Sequence, residues 1–259
     1  MPKVGTNVWY DLMTPDMEAS KRFYTETIGW RTEPWKDADP KMPYTMWMLG
    51  EAPIGGLMPL PEEAKKMGAP PSWVAYTTVA NVDETVKKIV SLGGRVNQPA
   101  FDVPKVGRMA FVADPQGAGF AVFSPVGDDM PAMDREKHGV FSWAELNTTD
   151  ADAAWGFYEK VFGWTTRGAM DMGPGGKYQM FQDSSETTRG GMSNAAKQMK
   201  LPPHWLHYIT VDDMKSALER IKQKGGKVMN GPMEIPGDDV IAQCVDPQGA
   251  FFAVYAKKK

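Results

Sequence analysis

The stretch FYTETIGW, Phe23 to Trp30, recurs as FYEKVFGW, Phe157 to Trp164, an offset of 134 residues. Further along, PPSWVAY (Pro70 to Tyr76) recurs as PPHWLHY (Pro202 to Tyr208). ADPQGAGFAVF (Ala113 to Phe123) recurs as VDPQGAFFAVY (Val245 to Tyr255), both at an offset of 132. Three collinear matches mark a duplication of one domain of roughly 120 residues. The drop from 134 to 132 puts a net loss of two residues between Trp164 and Pro202 of the second copy, where loop length tolerates change. The reading is domain 1 over 1–126, a polar, Pro-containing linker over 127–138 (GDDMPAMDREKH) and domain 2 over 139–259.

Around the FY segment, Val8 to Met13 reads as a strand, and Thr14-Pro15-Asp16 as a helix start with Thr14 capping and Pro15 in the first turn. Met17, Ser20, Phe23, Tyr24 and Thr27 then keep helical spacing until Gly29 stops it. Short strands are expected at 30–34, 44–49 and 54–60. A second round follows: a strand at 73–79, a helix from about Asp83 that stops at Gly93-Gly94, and strands at 96–103, 108–113 and 119–124. The second copy repeats this order, with helices near 152–162 and 212–224. The chain is therefore α+β, built of four βαβββ modules. DPQG at Asp114 and Asp246 reads as a tight turn: Asp opens it, Pro fixes φ and Gly supplies the positive φ.

Composition excludes several classes. With 42% apolar and 24% charged residues in 259, the chain is globular rather than disordered. A net charge of -3, with no basic stripe beyond Lys257 to Lys259, argues against nucleic acid as a partner. No apolar run long enough for a membrane span or a signal peptide is found. The single cysteine, Cys244, permits no internal disulfide and fits a reducing, cytoplasmic setting, where it is expected to be a small buried apolar residue.

Four βαβββ modules, the FY…GW helix ends and the DPQG turn before a final strand resemble the vicinal oxygen chelate superfamily. That group holds glyoxalase I, bleomycin-resistance proteins and extradiol dioxygenases. The narrower pattern, with Trp in the first strand, resembles the bacterial tandem-domain glyoxalase-like proteins. The resemblance implies two cup-shaped sheet domains, each with a ligand in the cup. It also implies that metal-dependent members hold a divalent ion with His and Glu side chains at four strand positions. Carried onto this chain, those positions fall on Trp9 and Trp143, near Met58 and Met192, on Val74 and Leu206, and on Ala121 and Ala253. Zn, Mn, Fe and Ni sites need imidazole, carboxylate, thiolate or carbonyl donors, so no metal or other cofactor is expected.

Strand alternation sets Asp11 on the face of Trp9, and Glu145 on that of Trp143. By the same counting Tyr76 and Tyr208 face inward. The expected ligand-binding residues are therefore Trp9, Asp11, Tyr76, Trp143, Glu145, His204 and Tyr208, suited to a small apolar or aromatic molecule through stacking, cation–π contact and a charge-assisted hydrogen bond. Alternatively the Trp pair fills the cups and the acids meet water or a nearby Arg. His204 is a candidate general acid/base, while His204 and His207, three apart on a strand, point to opposite faces; His138 is expected to be solvated in the linker. Gly173 to Gly176 and Gly190-Gly191 read as loops. Two enzymatic alternatives stand: a metal-dependent lyase or dioxygenase with ligands moved to Glu145, His204 and His207, or a metal-independent isomerase with Asp11 or Glu145 as base. A purely structural role is the third. The expected partner is a small molecule, and the chain a monomer or homodimer.

Overall fold

The computed structural model describes residues 3–39, 42–66, 68–127 and 134–258. The first module runs β1 (Asn7–Thr14), α1 (Met17–Ile28), β2 (Arg31–Pro34), β3 (Thr45–Leu49) and β4 (Ala52–Pro59). After a short helix α2 (Glu62–Lys66), the second runs β5 (Ser72–Thr78), α3 (Val82–Ser91), β6 (Arg95–Val103), β7 (Gly107–Ala113) and β8 (Gly119–Pro125). The second copy repeats this as β9 (Phe141–Asn147), α4 (Ala151–Phe162), β10 (Thr165–Asp171), β11 (Lys177–Gln182) and β12 (Thr188–Ser193). A short α5 (Ala195–Met199) leads to β13 (His204–Thr210), α6 (Met214–Gln223), β14 (Lys227–Glu234), β15 (Val240–Val245) and β16 (Phe251–Ala256). The four βαβββ modules form two eight-stranded mixed sheets, ordered β2-β3-β4-β1-β5-β8-β7-β6 and β10-β11-β12-β9-β13-β16-β15-β14. The α+β class read from the repeat is that of the structure. The short helices α2 and α5 carry little apolar periodicity and escape a sequence reading. Of the expected linker, residues 128–133 lie outside the described residues.

The cap of α1 differs from expectation. Asp16, not Thr14, is the N-cap, its carboxylate accepting from the Ala19 backbone N–H at 2.9 Å. Thr14 still lies in β1 and shares a 2.9 Å hydrogen bond with Ser20 Oγ. Asp150, Asn81 and Asp213 cap α4, α3 and α6 in the same way. Gly29 and Gly163 end α1 and α4 at φ of 87° and 70°, a left-handed conformation that favours glycine.

The chain divides into two compact units. One holds Met1–Val8, Val74–Ala132 and Trp143–Leu206; the other holds Trp9–Trp73, Met133–Ser142 and His207–Lys259. Each unit therefore joins one module of the first copy to one of the second, with α3 against α4 in the former and α1 against α6 in the latter.

In the unit containing α1, the core gathers Leu12, Tyr24, Trp30, Trp47, Trp73, Ile221, Cys244 and Phe252, all below 5% exposed. Burial pushes the Cys244 thiol up to about 12, as expected of an apolar filler. The Tyr24 hydroxyl accepts from the Trp73 indole at 2.9 Å and donates to Asp246 at 3.1 Å. Asp246 is the opening residue of a DPQG turn, and its other oxygen accepts from the Gln248 and Ala250 backbone N–H groups. The Trp30 indole donates to the Gly139 carbonyl at 2.8 Å. His138, expected to be solvated, is only 28% exposed here: its Nε2 lies 2.6 Å from the Ile28 carbonyl and its Nδ1 accepts from the Asp212 N–H. The end of α1 offers a carbonyl with no partner further along the helix, and the imidazole supplies one.

The other unit repeats the arrangement with the copies exchanged. Tyr158 accepts from Trp205 and donates to Asp114, both at 3.1 Å, and Trp164 donates to the Gly5 carbonyl at 2.8 Å. Asp114 Oδ1 takes the N–H groups of Gln116, Gly117 and Ala118, so DPQG is the turn it was expected to be. Burial raises the Asp114 and Asp246 pKa values against the pull of these backbone donors. It also pushes the Tyr24 and Tyr158 phenols well above their ordinary value, with the adjacent carboxylates adding to the shift.

Tyr24→Phe and Tyr158→Phe each leave a buried indole N–H and one carboxylate oxygen without their partner. Each is expected to cost about 1–3 kcal/mol, read as a lower urea midpoint with little change in slope. A loss below about 0.5 kcal/mol would show that the hydroxyl does not hold the three motifs together.

Candidate functional site

On β1, Leu12 points into the helix-side core while Trp9, Asp11 and Met13 occupy the opposite face. There the Trp9 indole donates to Asp11 Oδ1 at 2.9 Å and to the Tyr44 hydroxyl at 2.7 Å, and Tyr44 donates to the same Asp11 oxygen at 2.6 Å. Trp35 sets its ring edge-on to Tyr44, with centroids 5.8 Å apart. Asp11 is 2% exposed, whereas Trp9, Tyr44 and Trp35 are only partly buried.

The unit containing α4 builds the counterpart. The Trp143 indole donates to the Tyr178 hydroxyl at 2.8 Å, and Tyr178 donates to Glu145 Oε2 at 3.3 Å. The longer glutamate side chain gives a looser cluster than the closed triangle at Asp11. Burial pushes the Tyr44 and Tyr178 phenols well above their ordinary value, and the facing carboxylates raise them further.

Tyr44 and Tyr178 are members of the clusters that the sequence reading missed. The signal was present: they sit 134 residues apart, the offset that relates Trp9 to Trp143 and Asp11 to Glu145. The reason each tyrosine reaches its carboxylate lies in a glycine. Gly56 pairs with Asp11 across β4 and β1, and Gly191 pairs with Glu145 across β12 and β9. A Cβ on Gly56 would fall on the Tyr44 hydroxyl and Asp11; one on Gly191 would fall on the Tyr178 ring. Each tyrosine thus crosses a neighbouring strand through a gap that only glycine leaves open. Gly190-Gly191, expected in a loop, are therefore strand residues, and Gly190 lacks a side chain because the Ala144 carbonyl and the Phe181 ring occupy that space. The Gly173 to Gly176 stretch is a single 3-10 turn.

The remaining expected residues are placed as follows. Tyr76 is 5% exposed, packs edge-on against Phe111 and Phe123 and pairs with Ala121 of β8. Tyr208 pairs with Ala253 of β16, and its hydroxyl accepts from Gln243 at 3.5 Å. Tyr76 and Trp9 lie in different units, as do Tyr208 and Trp143. His204 is part-exposed, with Nδ1 2.9 Å from the Pro202 carbonyl; His207 is 1% exposed, edge-on to Tyr10.

The donor set does not fit a divalent ion. The indole nitrogens of Trp9 and Trp143 are committed hydrogen-bond donors, and Ala121 and Ala253 carry no donor atom. Met192, placed near the second of the four positions by counting, turns instead into the helix-side core, and Gly191 and Ser193 take the face opposite. Among the described residues no group of three His, Cys, Asp or Glu side chains comes together.

The model of the Glyoxalase/Bleomycin resistance protein/Dioxygenase superfamily matches residues 7–122 and again 140–254. A protein named "Putative glyoxylase CFP32", from Mycobacterium tuberculosis, is 34% identical over 255 residues, covering 96% of this chain and 94% of that one. The anthracycline biosynthesis protein DauV of a Streptomyces species is 30% identical over 260 residues, covering 96% and 92%. Among solved structures, a Mn(II)-bound glyoxalase from Novosphingobium aromaticivorans aligns with all of this chain and 84% of its own at a TM-score of 0.63, with 19% identity, a likeness of fold.

Two measurements probe the clusters. Gly56→Ala and Gly191→Ala should each displace a tyrosine and cost about 1–3 kcal/mol in denaturant unfolding; full stability would mean that the ring crosses elsewhere. Tyr44 and Tyr178 ionise above the ordinary value of 10.0 when folded and near it when unfolded. Their contribution to stability is therefore complete below that pH and lost as pH rises through the window above it. Phenolate absorbance between roughly pH 9 and 11 should have the same amplitude in a Tyr44→Phe/Tyr178→Phe variant as in the parent. A smaller amplitude in the variant would mean these phenols titrate freely.

Proposed function

The chain belongs to the Glyoxalase/Bleomycin resistance protein/Dioxygenase superfamily, and on that footing we propose that it binds a small, planar organic molecule at one or both of its Trp–Tyr–carboxylate clusters. One observation carries this reading: in each unit an indole, a phenol and a carboxylate are hydrogen-bonded on the face away from the helices, and both aromatic residues are only partly buried. An aromatic wall beside a negative charge suits a flat ligand, and a cationic one best of all. Tyr76 and Tyr208, on the corresponding face of β5 and β13, are proposed as further walls, and His204 as a polar contact. The name of the relative from Streptomyces supports the ligand class, since an anthracycline is a fused aromatic ring system.

The metal-dependent alternative needs Glu145, His204 and His207 to converge, and among the described residues no such group forms. A metal-independent isomerase using Asp11 or Glu145 would have each acid share its proton-accepting oxygen with a tyrosine hydroxyl.

9-Aminoacridine, a planar aromatic cation, serves as the probe. It should quench tryptophan fluorescence saturably, and Asp11→Asn and Glu145→Gln should each weaken its tighter or weaker binding phase about fivefold. Binding unchanged in both variants would assign the clusters to filling space. Dialysis against Mn(II) that leaves about one equivalent on the chain would favour the metal-dependent reading instead.

A further inference from the structure

The two clusters differ in what lies one rung beyond the carboxylate on the same strand face. In the first copy that rung pairs Met13 of β1 with Met58 of β4. In the second it pairs Asn147 of β9 with Ser193 of β12. Asn147 is 1% exposed, and among the described residues neither its carbonyl oxygen nor its amide nitrogen has a hydrogen-bond partner. Gln182, whose counterpart at the offset of 134 is Met48, also has a buried carbonyl oxygen without a partner. Three thioethers on the first face are thus matched by three hydrogen-bonding side chains on the second.

The first copy is the control. The same strand pairing is filled there by methionine, so the backbone has no need of an amide at this rung. A buried amide without partners is disfavoured against an apolar side chain of similar size, and it becomes favourable when a partner of matching geometry arrives.

Resting on the reading that the Trp143 cluster binds a small molecule, we propose that Asn147 makes this cluster selective for a planar aromatic ligand carrying a hydrogen-bond acceptor beside an N–H or O–H donor, as in a lactam edge. A primary amide presents one acceptor and one donor in a single plane, the complement of such an edge. The Trp143 and Tyr178 rings stand on the same face to stack on the ligand's plane. Tyr178 is the side chain that gives way to admit it, because its hydroxyl lies 3.3 Å from Glu145, against 2.6 Å for Tyr44 and Asp11. The first cluster, with Met13 and Met58, takes plain aromatic surface without this preference.

The experiment is calorimetric titration of the full chain with 2-quinolinone and with N-methyl-2-quinolinone, which keeps the rings and blocks the donor. The parent protein is expected to bind the former about tenfold more tightly. Asn147→Met should bind both equally, at the weaker affinity, and should unfold at a higher urea concentration than the parent. A preference that survives in Asn147→Met, or a variant that unfolds at lower urea, overturns the proposal, the second because it would show the amide to be a structural partner. Equal binding of both compounds by the parent overturns the selectivity alone. Binding of neither overturns the small-molecule reading and the selectivity with it.

Discussion

The fold depends on a tyrosine hydroxyl held between an indole and a carboxylate. Tyr24 sits between Trp73 and Asp246, and Tyr158 between Trp205 and Asp114. Each bridge draws together three motifs that lie far apart in sequence: the FY helix, the strand after the PP pair and the DPQG turn. The carboxylate is already committed to the backbone of its own turn, so it offers the phenol an acceptor whose position is fixed. Burial then makes each member dependent on the others, since removing any one leaves a polar group in a dry core.

In both bridges the tyrosine comes from one copy and the aspartate from the other. The Trp30 and Trp164 indoles likewise each reach a glycine carbonyl of the opposite copy. The duplication is consequently not two self-sufficient halves. Strand order keeps each copy's modules neighbours within one sheet, while each compact unit and its aromatic core take one module from each copy. The FY…GW helix of each repeat is buried against the DPQG turn of the other.

This explains what could be read in advance. The bridge residues are large, polar-tipped and identical in both copies, so the repeat shows them directly, and strand alternation then placed Trp9 with Asp11 and Trp143 with Glu145. What escaped was set by tertiary contact. Tyr44 and Tyr178 join the clusters only because Gly56 and Gly191 clear a path across a strand, and a glycine pair in an apolar run carries no local sign of that role. His138 looked like a linker residue because the carbonyl it meets, that of Ile28, lies 110 positions away in sequence. The α1 cap was misplaced by two residues because Thr14 and Asp16 are both good caps, and the structure keeps Thr14 in the strand.

Strand alternation also separates the two demands on this chain. One face of each strand meets the helices, and there several positions keep equivalent residues, such as Leu12 and Leu146, Trp47 and Phe181, Leu57 and Met192, although Tyr10 is matched by Ala144 and Ala75 by His207. The opposite face is free of that constraint, and there they diverge, from Asp11 to Glu145, Met13 to Asn147, Met58 to Ser193 and Met48 to Gln182. Because a side chain's face is fixed by its parity in the strand, such changes leave the packed face untouched. The first copy sets a carboxylate 2.6 Å from its tyrosine beside methionines, and the second a carboxylate 3.3 Å from its tyrosine beside amides. Changes on the face turned away from the helices thus let two copies share one scaffold and present different side chains there.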